Sequence, residues 1–102
     1  MPEVIIADTS CLITLANIDQ LGLLKLVYST ISITPEVVEE YGADLPDWFT
    51  TRSVRDSGRV RLLELQVDRG EATALALAME VAGSTLIVDD LKARKLAGHL
   101  GI

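Results

Sequence analysis

Apolar residues fall in short runs that alternate with amphipathic stretches. Val4-Ile5-Ile6-Ala7 and Leu86-Ile87-Val88 are brief, β-prone and bounded by polar residues, so each predicts a buried strand. The same pattern predicts strands over 3–7, 30–33, 60–65 and 85–88. Between them lie helical stretches. Asp8-Thr9-Ser10 offers caps for a helix over 11–18. Residues 20–28 carry Leu21, Leu23, Leu24 and Val27 at i, i+3 and i+4 spacing. Thr34 as N-cap, Pro35 at the first position and Gly42 at the end frame a short third helix. An alanine-rich helix over 72–82 is apolar nearly all round and is expected to be buried on most sides. A last helix runs over 91–100. Residues 43–58, with Pro46, Trp48 and Phe49, read as irregular. Strands alternating with helices predict a parallel α/β domain.

Composition bounds the class. The 102 residues suffice for one domain, taken as 1–102. The hydrophobic fraction is 49% and the mean hydropathy +0.35, values that imply a large core or self-association. No apolar run approaches the roughly 20 residues needed to span a bilayer. The start, Met1-Pro2-Glu3, lacks the basic region of a signal peptide, which points to the cytoplasm and away from membranes. One cysteine, Cys11, excludes an intrachain disulfide and suits a reducing compartment. With His99 the only histidine, a Cys/His catalytic pair is disfavoured. The net charge of −6 argues against tight non-specific binding of nucleic acid. It leaves room for a nuclease whose acids cluster around divalent ions, because such ions reverse the local charge.

The acids carry the candidate chemistry. Asp8 ends the first apolar run, and Asp89-Asp90 end the last. In a parallel sheet the ligand crevice lies beyond the carboxyl ends of the strands. If these two strands are neighbours, their acids meet at one mouth. Asp8 has an ordinary role as N-cap, but Thr9 or Ser10 would also serve there. In the third helix Val37, Val38 and Tyr41 define the buried face. Glu40 lies about 105° from its centre, against about 145° for Glu36 and 155° for Glu39. Glu40 therefore sits at the boundary, while Glu36 and Glu39 point to water. Asp68-Arg69-Gly70-Glu71 fits a capping box, so the pattern leaves Glu71 evenly divided between cap and site. Asp89 and Asp90 exceed what capping one helix needs.

Oxygen-only ligands suit Mg²⁺ or Mn²⁺ rather than zinc. Such ions bind phosphate oxygens and activate water toward a phosphodiester. Neither G-x-x-x-x-G-K-[ST] nor G-x-G-x-x-G occurs, which disfavours nucleotide-driven phosphoryl transfer.

Several segments together resemble a PIN domain, most closely the small prokaryotic proteins related to VapC-type toxins. They are Ile6-Ala7-Asp8-Thr9-Ser10-Cys11-Leu12-Ile13, Thr34-Pro35 through Glu40, Leu45-Pro46-Asp47-Trp48, Gly70-Glu71-Ala72 through Leu77-Ala78, and Leu86-Ile87-Val88-Asp89-Asp90-Leu91-Lys92-Ala93-Arg94. The resemblance implies a three-layer α/β/α fold with a central parallel sheet and a metal-dependent endoribonuclease pocket. By motif position Asp8, Glu40, Glu71 and Asp90 would be the catalytic acids. Asp8 and Asp90 would be direct metal ligands, with Asp89 as neighbour or alternative and Ser10 in support. The cofactor would be Mg²⁺ or Mn²⁺ and the substrate single-stranded RNA. An antitoxin partner and a homo-oligomer are further expectations. Relatives continue past Gly101-Ile102 into another strand and helix, so a C-terminal strand and helix are expected to be missing.

Arg52, Arg55, Arg59, Arg61, Lys92, Arg94 and Lys95 could steer RNA or form an ordinary solvated surface. A rival reading is a catalytically weak PIN-like binding module acting through protein partners or self-association. There Trp48 and Phe49 would anchor an interface rather than their own loop. A receiver-type domain would need a lysine at a later strand end, and Lys92 falls in the predicted last helix.

Overall fold

The computed structural model describes residues 4–87, Gly98 and Gly101. Strands β1 (Ile5–Ala7), β2 (Ile31–Ile33), β3 (Phe49–Thr51) and β4 (Thr85–Ile87) form one parallel sheet in the order β3-β2-β1-β4. Five helices occur among the described residues: α1 (Thr9–Asn17), α2 (Gly22–Tyr28), α3 (Pro35–Tyr41), α4 (Ser57–Leu63) and α5 (Arg69–Glu80).

The two-residue period of β1 and β2 divides the core. Ile5, Ala7, Ile31 and Ile33 pack with Leu12, Leu24 and Val37 from α1, α2 and α3. Ile6 packs with Ala74, Leu77 and Ala78 of α5. Helix α4 then seats Val60 and Leu63 against Ala72, Leu75 and Ala76 of α5. The sheet is thus covered on both faces, giving the expected three layers. Burial on both sides explains why β1 is continuously apolar instead of alternating. It also explains α5, in which every residue from Gly70 to Ala78 is buried.

The predicted strand over 60–65 is a helix. Asp56 caps it, its side chain accepting from the Arg59 amide at 3.0 Å. Val60 and Leu63, at i and i+3, turn inward while Leu62 and Leu65 are exposed. That spacing is helical, not alternating. The third strand lies instead in the stretch read as irregular, where Phe49-Thr50-Thr51 pairs with β2 at the sheet edge. Trp48 and Phe49 stack with centroids 4.2 Å apart and pack against the first core cluster. They anchor their own segment. The predicted face of α2 is only partly buried: Leu24 is inside and Leu21 half-buried, whereas Leu23 and Val27 are exposed.

The framing of α3 is as predicted. Thr34 Oγ1 accepts from the Val37 amide at 3.2 Å, Pro35 leads the helix, and Gly42 ends it at φ 71°, in the left-handed region. No single helix among the described residues is long and apolar enough to cross a membrane. Of the predicted last helix, only Gly98 is among the described residues.

Candidate functional site

The site grows from the step between β1 and α1. Ala7 pairs with Ile87, and the Asp8 amide donates to the Ile87 carbonyl at 3.3 Å. So β1 and β4 are neighbours, as the two-aspartate argument requires, and the strand leading to Asp89 and Asp90 runs parallel to the one leading to Asp8. Asp89 and Asp90 themselves lie outside the described residues.

Asp8 is fully buried at 0% exposure. It is the N-cap of α1, its Oδ1 accepting from the Cys11 amide at 2.9 Å. The helix therefore starts two residues earlier than the sequence suggests. Thr9 and Ser10, the alternative caps, are engaged elsewhere. Thr9 Oγ1 donates to Glu40 Oε1 at 2.7 Å, and Ser10 Oγ donates to Glu71 Oε1 at 2.9 Å. Three consecutive residues thus supply one acid and hold two others.

Glu40 comes from the last turn of α3. It is exposed overall, but its carboxylate reaches back to Thr9, as its place at the helix boundary predicts. Glu39 is exposed. Glu36 departs from expectation: its side chain is only 28% exposed and its Oε2 lies 3.9 Å from Arg69 Nη2. That pair is long and partly solvated, so it adds little stability.

Glu71 closes no capping box in the structure. Asp68 occupies the N-cap of α5 without a side-chain cap bond, so the capping box is not formed. Glu71 is instead 4% exposed, with Oε1 on Ser10. Its Oε2 is buried and meets no hydrogen-bond partner among the described residues. A desolvated carboxylate oxygen left this way is costly unless a cation or proton joins it.

Two features escaped the sequence. Gly70 packs against the Glu40 carboxylate and Thr9. A buried hydroxyl pair, Thr34 and Thr73, also joins the first turns of α3 and α5 at 2.7 Å. Thr73 spends its one proton on the Gly70 carbonyl at 2.9 Å, so Thr34 is the donor between them. Only the run Asp8-Thr9-Ser10 hinted at hydroxyl support. The Gly70 contact depends on how two helices cross.

Among the basic residues, Arg52 Nε donates to Ser32 Oγ at 3.0 Å. The Arg55 amide donates to the Glu80 carboxylate, and Arg59 pairs with Asp56. Arg52 and Arg55 are exposed and Arg59 is half-buried. Lys92, Arg94 and Lys95 lie outside the described residues.

Carboxylate oxygens suit a hard divalent cation, and Glu71 Oε2 is buried with no hydrogen-bond partner among the described residues. Among the described residues no three acidic, histidine or cysteine side chains converge closely enough to hold an ion. The described residues by themselves therefore form no closed cage for an ion.

No curated protein and no solved structure matches the chain. A sequence model of the PIN domain matches residues 4–102. Proteins of that family are generally nucleases that use divalent metal ions. With its parallel sheet and with nearly its whole length matched, the chain belongs to the PIN domain family.

Proposed function

We propose that this protein is an Mg²⁺- or Mn²⁺-dependent endoribonuclease cleaving single-stranded RNA, and a toxin-like protein of the VapC kind. The observation that supports the reading is Oε2 of Glu71, buried and with no hydrogen-bond partner among the described residues, while Oε1 accepts from Ser10 in the first turn of α1. Asp8, with Asp90 or Asp89, would hold the ion, and Glu40 and Glu71 would line the site beside it. A bound ion would supply positive charge and Lewis acidity toward the phosphate. The chain's own part is positioning. The Cys11 amide, Thr9 and Ser10 each occupy one oxygen of Asp8, Glu40 and Glu71 respectively. These bonds restrict the rotamers of the three acids.

Arg52 and Arg55, with Lys92, Arg94 and Lys95, would contact RNA phosphates. An antitoxin would cover the site in the resting state. The buried single cysteine is compatible with a cytoplasmic setting. The test is cleavage of single-stranded RNA with Mn²⁺, by wild-type protein and by Asp8→Asn purified identically. Equal cleavage by both would overturn the assignment. Equal cleavage of DNA would overturn the substrate class.

A second reading is a PIN-like module that works through self-association. It is favoured by the exposed apolar residues of α2, with Leu26 at 81% and Val27 at 68% exposure. The span 9–28 carries one acid, Asp19, and one base, Lys25. In a chain of net charge −6 this near-neutral face is where a second copy meets least repulsion. Light scattering of Leu26→Glu against wild type tests it: a monomer in both overturns self-association.

A further inference from the structure

Gly70 is the second residue of α5 and is buried. Its φ is not among the positive ones, so no left-handed conformation demands glycine there. Space does. A Cβ at this position would lie 2.7 Å from Thr9 Oγ1 and 2.8 Å from Glu40 Cδ, and would collide with Glu40 Oε1. A flexible glutamate end usually swings aside. This one accepts from the Thr9 hydroxyl at 2.7 Å, and Thr9 is itself buried, so swinging the carboxylate aside breaks that bond.

The backbone of Gly70 is also fixed. Its carbonyl accepts from Thr73, which accepts from Thr34, which accepts from the Val37 amide. The start of α5 is therefore tied to the first turn of α3 through two hydroxyls. It also touches the last turn of α3 through the Glu40 carboxylate. Moving Gly70 away to admit a methyl group would strain this relay.

We propose that Gly70 is a positioning residue: its missing side chain lets Thr9 hold the Glu40 carboxylate against the start of α5, one residue from Glu71. The relevance to catalysis rests on the reading of Glu40 as a site acid. Gly70 acts through Glu40 and Thr9, not on substrate.

The experiment compares wild type, Gly70→Ala, Thr9→Val and the double variant, each checked for native circular dichroism. Two readouts are taken. One is the ¹³C signal of the Glu40 carboxyl carbon in metal-free protein. The other is Mn²⁺ affinity by calorimetry. Gly70→Ala and Thr9→Val should each move the Glu40 signal and weaken Mn²⁺ binding about tenfold, the low end for losing an outer hydrogen-bonding partner. The double variant should do no more than either alone, because both remove one contact. In Gly70→Ala/Glu40→Asp the shorter acid clears the methyl group, so binding should match that of Glu40→Asp alone. This variant also serves if Gly70→Ala fails to fold. An unmoved Glu40 signal in Gly70→Ala, or fully additive effects of Gly70→Ala and Thr9→Val, would overturn the proposal. Wild-type protein without saturable Mn²⁺ binding would overturn the metal reading instead, while the Glu40 signal would still decide the role of Gly70.

Discussion

Ser10 Oγ sits 2.9 Å from Glu71 Oε1, joining positions 61 residues apart at the starts of two helices. It is the only hydrogen bond to the Glu71 carboxylate seen among the described residues. Ser10→Ala would leave both oxygens of a buried carboxylate without a donor. We expect a loss of about 1–3 kcal/mol in urea unfolding, the usual cost of stranding a buried polar group. Ser10→Thr, which keeps the hydroxyl, should recover part of it.

Asp8→Asn separates the two roles of Asp8. Asparagine caps helices as well as aspartate does, so stability should stay within about 0.5 kcal/mol of wild type. The acid is gone, however. RNA cleavage should fall at least about 100-fold, beyond the usual cost of losing an outer partner. Parallel denaturation and cleavage assays check both halves.

Metal binding should appear as stability. An ion that binds only the folded chain at about 100 times its Kd adds about 2.7 kcal/mol. Mn²⁺ should therefore raise the Tm of wild type, and EDTA should return it to baseline. In Glu71→Gln the shift should shrink or vanish. An equal shift in wild type and Glu71→Gln would place the ion elsewhere.

The Thr34–Thr73 relay predicts an asymmetry. Thr73→Val conserves shape but removes both the acceptor of the Thr34 proton and the donor to Gly70. We expect about 1–3 kcal/mol of destabilisation. Thr73→Ser should cost less, because it keeps both bonds and loses only a buried methyl group. Thermal unfolding of the two variants makes the comparison.

What could be read from the sequence was local. Thr34, Pro35 and Gly42 frame α3 through backbone chemistry within a single helix, and each acted as expected. Asp8 was marked by its place at the end of an apolar run. Glu40 followed from the angular position of its neighbours. The misreadings came where short-range signals competed or distant partners decided. The short apolar run 60–65 reads as a strand, although Asp56 and the Val60–Leu63 spacing encode a helix. The β3 strand is three residues long, and pairing with β2 is what makes it one. Gly70 carries no sign of its role, because its constraint comes from a carboxylate 30 positions earlier. The Asp68-to-Glu71 spacing leaves Glu71 divided between cap and site, and the structure shows the capping box unformed and the carboxylate on Ser10.

The reach of the Asp8-Thr9-Ser10 step has a consequence for the newborn chain. Asp8 leaves the ribosome early, but Thr9 waits 31 residues for Glu40 and Ser10 waits 61 for Glu71. The central strand must wait longer still for β4 at Thr85. A ribosome is built of RNA and is the first such molecule this chain meets. Contacts so distant in sequence close only after the later partner has emerged. The topology thus delays the Ser10–Glu71 contact until residue 71 is free to fold.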